Sequence, residues 1–352
     1  DLFDAAAKMI GHRRGGLAYA SIGGCAGFGS INGSSLARAA TIGLVALPEM
    51  RQRGYSDSLA TGTVAAGGTL GQMLPPSGAL IVYGIIAEQS IGKLFTATLI
   101  PGISQMLFYC LVVWLLVRWK PSIAPASERV SWAERGRALM KIADIVLLLA
   151  FVLGGIMLGW FSPSEASSMG TVGALAITAW RRRLTKEVLF RAFSETLKTS
   201  GLIFLVIIGA IIFSVFISVT GLTDAVGAWV TGLGLGTIPT LLIVALFLLL
   251  LGSVLDGLAL MLLTTPILLP VVEGVGMSPI WFGIFIVRAM EIGFVHPPLG
   301  MNLYVIQGVA KDVSLNKIFR GVIPFLCSDL VHLLLIILFP AIALWLPAVL
   351  GQ

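Results

Sequence analysis

Apolar residues occur in long runs along the chain, and two of these runs contain a proline pair. The first is GGTLGQMLPPSGALIVYG at 67–84, and the second is EIGFVHPPLGMNLYVIQG at 291–308. Proline lacks a backbone donor and clashes with the preceding turn, so a pair interrupts a helix and leaves carbonyl groups unpaired. Within a bilayer such groups persist only where they line a cavity or bind a ligand. The pattern predicts two broken membrane helices, over 57–88 and 279–308.

Two further apolar runs are each interrupted midway by a short polar segment. The run over 15–48 is interrupted at GSINGSS, and the run over 238–271 at GSVLDG. Each arm of the first run is roughly 15 residues, or about 22 Å, which is shorter than a hydrocarbon core of about 30 Å. We therefore predict two re-entrant hairpins with polar tips. The remaining runs predict five crossings, at 97–118, 142–161, 164–180, 200–220 and 321–348. A basic loop at 181–198 joins the third crossing to the fourth.

The two halves of the chain repeat each other. Matched residues lie 222 or 223 positions apart: Pro48 and Pro270, Pro75 and Pro297, Pro101 and Pro324, Gly29 and Gly252. One shift over about 75 residues predicts a duplicated unit of the kind that many transporters contain. It divides the chain into a first repeat (1–120), a linker (121–141) and a second repeat (142–352). The first three crossings of the second repeat have no counterpart in the first, which predicts that roughly 75–80 residues precede residue 1 in the complete protein.

Composition and charge indicate a polytopic membrane protein. Hydrophobic residues make up 57% of the chain and charged residues 11%, whereas soluble domains are about a quarter charged. If the linker is cytoplasmic, all but three of the 23 Lys and Arg lie on the cytoplasmic side, the exceptions being Arg38, Lys93 and Arg288. This asymmetry follows the positive-inside rule, so the net charge of +6 does not indicate nucleic-acid binding. The two hairpins then enter from opposite sides, which makes the repeats inverted.

The sequence has no pattern typical of an enzyme or of a transition-metal site. Three cysteines and three histidines are scattered without ligand spacing: Cys25, Cys110, Cys327, His12, His296 and His332. No phosphate loop, catalytic triad or HExxH motif is present. We expect neither enzymatic activity nor an organic cofactor.

Oxygen-bearing residues concentrate at the hairpin tips and at the breaks. The first tip and break contain Ser30, Asn32, Gly33, Ser34, Ser35, Gly71, Pro75, Pro76 and Ser77, and the second contain Gly252, Ser253, Asp256, Pro297, Gly300 and Asn302. Small hard cations bind several oxygen atoms, and hairpin tips and helix ends supply them. The pattern predicts two pseudo-symmetric sodium sites. The alternative is that small residues at these positions only allow close helix packing.

Few charged residues lie inside the apolar runs, and each needs a partner. Asp256 is the one carboxylate between Asp224 and Glu273, so a cation or backbone amides must satisfy it. Arg288 and Glu291 are three positions apart on one predicted helix and are expected to pair.

Three residues are candidate substrate contacts. Arg38, with Ser35 one turn earlier, either meets an anionic substrate or snorkels to the surface. His296, beside the second proline pair, either makes transport sensitive to pH or is a hydrogen-bonded structural residue.

Several stretches resemble a known family across essentially the whole chain. They are RRGGLAYASI, GFGSINGSSLARAATIG, PEMRQRGYSD, GGTLGQMLPPS and EIGFVHPPLGMNLYV. They are similar to the large membrane subunit, the DctM type, of tripartite ATP-independent periplasmic (TRAP) transporters. Two positions depart from the family pattern: His296 stands where Thr is common, and Arg38 where a small residue is usual.

The resemblance implies an elevator-type fold of the ion-transporter superfamily in a bacterial inner membrane. It implies sodium-coupled uptake of an organic acid, such as a C4-dicarboxylate or sialic acid. The implied partners are a periplasmic substrate-binding protein and a small four-helix membrane subunit. It places sodium ligands on the first tip and proline break, and on Ser253 and Asp256 with the second break.

Two other functions stay open at the level of sequence. One is a stand-alone secondary transporter of the same superfamily that needs no binding protein. The other is a structural membrane subunit without a site of its own, in which alanine would replace the polar tip residues without loss of function.

Overall fold

In the computed structural model, residues 2–29, 34–126 and 130–351 are described. These residues form α-helices and two 3₁₀ turns, with no strand among them. Within this part of the chain, four helices are long and apolar enough to cross a membrane: Ile91–Trp119, Lys186–Val219, Gly257–Gly274 and Leu315–Leu338. A bent pair, Trp132–Met140 with Ala143–Met157, is a fifth candidate. The chain is an all-α, multi-pass membrane protein.

The first part of the chain, including the linker, runs from α1 to α7. Its helices are α1 (Leu2–Ile10), α2 (Gly16–Gly29), α3 (Ser35–Gln52), α4 (Asp57–Gly67), α5 (Gly78–Ile86), α6 (Ile91–Trp119) and α7 (Trp132–Met140). The 3₁₀ turns lie at Leu70–Gln72 and Pro121–Ile123. Helices α2 and α3 lie over the first predicted hairpin and pack against each other, and α4 and α5 lie over the first predicted broken helix.

The second part contains ten helices in its described residues. They are α8 (Ala143–Met157), α9 (Pro163–Trp180), α10 (Lys186–Val219), α11 (Leu222–Gly232), α12 (Thr237–Gly252), α13 (Gly257–Gly274), α14 (Pro279–Val295), α15 (Met301–Val309), α16 (Leu315–Leu338) and α17 (Ala341–Val349). The pair α12 and α13 lies over the second predicted hairpin, and the pair α14 and α15 over the second predicted broken helix.

Local chemistry sets the helix ends at the first break. The peptide bonds Pro75–Pro76 and, in the second break, Pro297–Pro298 are both cis. Helix α4 ends at Gly67 and a 3₁₀ turn follows at Leu70–Gln72; the proline pair, which lacks backbone N–H groups, then prevents the helix from continuing. It restarts at Ser77, whose hydroxyl accepts a 3.4 Å hydrogen bond from the Leu80 N–H, the usual role of a serine N-cap.

Two segments differ from the sequence prediction. The crossing expected over 321–348 is two helices, because α16 ends at Leu338 just before Pro340, which lacks a backbone donor. The basic loop expected over 181–198 is helical from Lys186 onward. Thr185 caps its first turn by accepting a 3.2 Å hydrogen bond from the Val188 N–H, and charge pairs spaced three and four residues apart support the helix.

Each broken helix packs against the other half of the chain. Helix α4 of the first half packs most extensively against α16, and α14 of the second half packs against α5 and α6. Helix α14 is buried from Trp281 to Val295, with Trp281 and Phe285 stacked at 4.9 Å between ring centroids. The described interior consists of two hydrophobic clusters, and each of them contains residues from both halves.

Helix α10 exposes an apolar surface. Phe204, Leu205 and Ile212 are 65%, 68% and 66% exposed, and they lie in the strongly apolar part of α10 that follows its charged first turns. An apolar helix with this much exposed surface is covered by lipid or by another membrane protein.

Helices α4 and α16 touch through their backbones at two glycines. A β-carbon on Gly321 would lie 1.9 Å from the Ser58 carbonyl oxygen, and one on Gly62 would lie 2.2 Å from the Gly321 carbonyl oxygen. Such contact is the usual reason for small residues between membrane helices.

We expect Gly321→Ala to lower the apparent Tm of the detergent-purified protein, because the helices must separate, at a cost of about 1–3 kcal/mol. Gly308→Ala is the matched control, since nothing lies within 4 Å of a β-carbon there. Alanine favours a helix over glycine by about 1 kcal/mol, so the control should melt at the same temperature or higher. Equal melting of the two variants would contradict the close contact.

Candidate functional site

The first candidate site lies where the tip of the α2–α3 hairpin meets the break between α4 and α5. The carbonyl oxygen of Gly68, which caps the C-terminus of α4, accepts hydrogen bonds from the Ser35 hydroxyl at 3.1 Å and from the Arg38 guanidinium at 2.5 Å. The backbones also touch, because a β-carbon on Gly71 would lie 2.1 Å from the Cα of Gly29. The described part of the hairpin therefore ends directly on the break.

Asn302 belongs to this first site. The sequence grouped it with the second tip, but its fully buried amide nitrogen donates to the Ser35 hydroxyl at 2.9 Å and to the Ala65 carbonyl at 3.1 Å. The reason is that α15 packs against α3 and α4. A residue of the second repeat thus helps to fix the break of the first.

The other predicted residues of the first site have structural contacts. The Ser34 hydroxyl accepts a 3.3 Å hydrogen bond from the Ala37 N–H at the start of α3. Ser77 caps α5, as described above. Pro75 is buried and Pro76 is half-buried. The predicted ligands Ser30, Asn32 and Gly33 lie outside the described residues.

The second candidate site lies where the α12–α13 hairpin meets α14. A β-carbon on Gly293 would lie 2.5 Å from the carbonyl oxygen of Gly252, so these two backbones also touch. The Ser253 hydroxyl donates back to the Leu250 carbonyl at 2.7 Å. Asp256 is exposed and accepts a 3.1 Å hydrogen bond from the Leu258 N–H, capping α13. A backbone amide, one of the two partners that the sequence allowed, is therefore present.

At the second break the chain turns sharply between α14 and α15. His296 and Pro297 are half-buried. The Gly300 N–H donates to the His296 carbonyl at 2.9 Å, and a β-carbon on Gly300 would lie 2.7 Å from the carbonyl oxygen of Phe294. Glycine is required at this position because any side chain would collide with the end of α14.

A buried ionic cluster lies between α14 and α16. Arg288 donates to Glu291 at 3.0 Å, as the sequence predicts, and also to Asp329 at 2.5 Å and to the Nδ1 atom of His332 at 3.1 Å. All four side chains are at most 1% exposed. Sequence reasoning missed Asp329 and His332, although an Asp and a His three positions apart in an apolar run are the signal for such a cluster.

Helix α6 completes the cluster with neutral groups. The Tyr109 hydroxyl donates to Asp329 at 2.9 Å and lies 3.4 Å from the Thr69 hydroxyl of the first break. The Ser104 hydroxyl lies 2.8 Å from the Nε2 atom of His332. The cluster thereby joins the first break to the second broken helix through hydrogen bonds.

A cavity of about 620 Å³ lies between the α8–α9 pair and helices α5 and α6. Its lining is mainly apolar and includes Leu148, Leu149 and Val152. Pro76 borders it, but the other predicted ion ligands among the described residues do not. It separates two helix groups and offers few polar atoms to an ion.

We expect Asn302→Leu to destabilise the protein by about 1–3 kcal/mol, because it leaves buried polar partners unsatisfied. Tyr304→Phe is the matched control on the same helix, since it removes an exposed hydrogen bond to the Pro298 carbonyl. Thermal unfolding of both variants in detergent measures the difference. If Asn302→Leu melts as Tyr304→Phe does, Asn302 does not tie the two repeats together.

The architecture is that of a multi-pass membrane protein in which two hairpins end on two helix breaks. The sequence profile described as "Tripartite ATP-independent periplasmic transporter, DctM component" matches residues 1–342. The chain belongs to this family.

Several named relatives match the chain over all or nearly all of its length. The C4-dicarboxylate TRAP transporter large permease proteins DctM of Pseudomonas aeruginosa and Rhodobacter capsulatus are 35% and 33% identical to it. Each match covers 100% of this chain and 82% of the relative. The sialic acid TRAP transporter large permease protein SiaM of Vibrio cholerae is 31% identical over 98% of this chain and 81% of its own length. The resemblance stated from sequence is confirmed.

Proposed function

We propose that the protein is the large permease of a TRAP transporter that takes up an organic acid in symport with sodium across a bacterial inner membrane. Its relatives are named for C4-dicarboxylates and for sialic acid, and both are carboxylates. An organic acid with a carboxylate group is therefore the expected substrate class.

The observation that carries this proposal is a pair of matched backbone contacts. Gly29 of the first hairpin touches Gly71 at the first break, and Gly252 of the second hairpin touches Gly293 at the end of α14. The two hairpin glycines, Gly29 and Gly252, lie 223 positions apart, and the two glycines that they touch, Gly71 and Gly293, lie 222 apart, which is the shift found for the prolines. Two equivalent tips packed on two equivalent broken helices support inverted repeats, and transporters of this kind bind substrate and ions at such places.

Sodium coupling is supported by the chemistry of the second tip. Asp256 contributes a carboxylate, Ser253 a hydroxyl, and the nearby break contributes carbonyl oxygens, which are the ligands of hard cations. Sodium would stabilise the packing of the tip on the break and complete the substrate site. Since a ligand shifts a conformational equilibrium only through its differential affinity, sodium must bind more tightly when the site is complete.

The elevator movement is supported by the way in which contacts between helices separate the chain into two groups. The hairpins, broken helices, α6 and α16 build the two hydrophobic clusters of the interior, whereas α8 and α9 pack mainly against each other at the periphery and expose apolar surface. The apolar cavity bordered by Leu148 and Val152 lies between these two groups. We assign the first group to the moving unit. The peripheral helices are assigned to the scaffold and to contact with the small membrane subunit.

Uptake measurements in proteoliposomes test this proposal. The complex with the small membrane subunit is reconstituted, and labelled C4-dicarboxylates and sialic acid are supplied with the periplasmic binding protein, with and without an inward sodium gradient. Accumulation that requires both the gradient and the binding protein is expected. Accumulation without the binding protein would indicate a stand-alone transporter, and proton-driven accumulation would refute sodium coupling. An intact complex that accumulates no substrate would indicate a structural subunit.

A further inference from the structure

Arg38 places a positive charge at the first break with no exposed surface. Its guanidinium donates the 2.5 Å hydrogen bond to the Gly68 carbonyl at the C-terminus of α4. It also packs directly on Gly71, since a β-carbon there would lie 2.3 Å from the Cζ atom of Arg38. The C-terminal end of a helix attracts cations because its last carbonyl groups carry partial negative charge. Arg38 thus lies where a bound cation would be stabilised.

Two carbonyl oxygens at this break already accept hydrogen bonds from side chains. Gly68 accepts from both Ser35 and Arg38, and the Met73 carbonyl accepts from the Thr98 hydroxyl of α6. A small cation needs several oxygen atoms whose lone pairs point at it. In this arrangement the guanidinium supplies the positive charge that those oxygens would otherwise obtain from an ion.

Among the described residues of the second site, no arginine or lysine stands at the position equivalent to Arg38. The position that corresponds to Arg38 at the repeat shift of 223 is Met261, which is fully buried. Conversely, the second tip has Asp256 where the first tip has Gly33 in the sequence. The first site therefore contains a fixed positive charge, and the second contains a negative charge that a mobile cation can neutralise.

We propose that the guanidinium of Arg38 takes the place of a coupling cation at the first break, so that the exchangeable cation binds only at the second. This inference rests on the proposed function for the second site. The protein then binds fewer coupling sodium ions than a transporter with two equivalent sodium sites.

The test uses the complete complex in detergent and follows its apparent Tm as sodium replaces choline at constant ionic strength. Asp256→Asn removes the charge of the second site and keeps a good helix cap. With Arg38 intact, this variant should lose the sodium-induced stabilisation of the wild type, with at least about a tenfold rise in the half-saturating sodium concentration. A response equal to that of the wild type would place sodium beside Arg38 and overturn the proposal.

A second experiment removes the guanidinium from the first site. In the Asp256→Asn background, Arg38→Ala should create a new stabilisation by sodium or by millimolar free guanidinium. Stabilisation by neither cation would overturn the proposal. Arg51→Ala, which removes a partly exposed arginine of the same helix, is the matched control and should gain no such response. If Arg38→Ala does not fold, the sodium response of the single variant Asp256→Asn tests the proposal.

The two proposals fail in different ways. A wild-type complex without any sodium response would refute sodium coupling, and therefore the proposed function. Rescue of the single variant Arg38→Ala by guanidinium would still support Arg38 as a built-in cation, and its absence would refute that role.

Discussion

Replacing Arg288 by methionine is expected to destabilise the folded protein by about 3–5 kcal/mol, because two carboxylates are then buried without their partner. Glu291 and Asp329 both depend on this guanidinium and are at most 1% exposed. The measurement is the yield of monodisperse protein after solubilisation, together with its apparent Tm. Little or no folded protein is expected.

Neutralising the carboxylates should reverse this loss. A triple variant with Arg288→Met, Glu291→Gln and Asp329→Asn contains no buried charge in the cluster, and such replacements are often close to neutral in stability. Arg191→Met is the matched control, since this arginine and its partner Glu187 are 77% and 82% exposed and an exposed pair contributes at most about 1 kcal/mol. Failure of the triple variant to recover would show that hydrogen bonding, rather than charge, holds the cluster.

Replacing Asp256 by asparagine is expected to abolish sodium-dependent uptake at physiological sodium while leaving the fold intact. Asparagine caps a helix as well as aspartate does, so α13 keeps its first turn. The missing carboxylate removes the negative charge that attracts the cation. The measurement is the sodium dependence of uptake in proteoliposomes, and unchanged activation by sodium would refute the assignment of Asp256.

Two further variants separate charge from capping. Asp256→Ala removes both and should additionally lose about 1 kcal/mol of stability. Glu273→Gln removes an exposed carboxylate near the other end of the same helix and should leave the sodium dependence unchanged. A loss of sodium activation in Glu273→Gln as well would point to a general effect of surface charge.

The breaks and hairpins could be predicted from sequence because their causes are local. The proline pairs remove backbone donors wherever they occur, and polar tips inside apolar runs turn the chain. The described helices accordingly end before Pro75 and before the second proline pair, and they part at residues 253–256 in the second hairpin. The final crossing was predicted as one helix because the apolar run is long. In the structure α16 ends just before Pro340, whose effect that prediction did not take into account.

The partners within the site could not be predicted, because they depend on which helices pack together. The repeat argument assigned each break to its own hairpin, which put Asn302, at the second break, in the second site. In the structure α15 crosses to α3 and α4, so its amide reaches Ser35. The same limitation concealed Tyr109 and Asp329, which lie 220 positions apart and share a hydrogen bond.

Arg38 shows how burial can decide between alternatives that sequence leaves open. Its spacing on α3 was compatible with snorkelling to the surface, yet the side chain is fully buried on Gly68 and Gly71. Glycine at position 71 provides the space that the guanidinium fills. Contact with an anionic substrate stays a prediction.

The bond between Ser35 and Asn302 also constrains how the protein is made. The two residues are 267 positions apart, and ribosomes add about 5–20 residues per second. The first hairpin therefore waits about 15–50 s after its own synthesis before its partner is available. During this time Ser35 and the end of α4 lack a contact that the finished protein has. The newly inserted first half is then the stage at which membrane chaperones or proteases are expected to act on this chain.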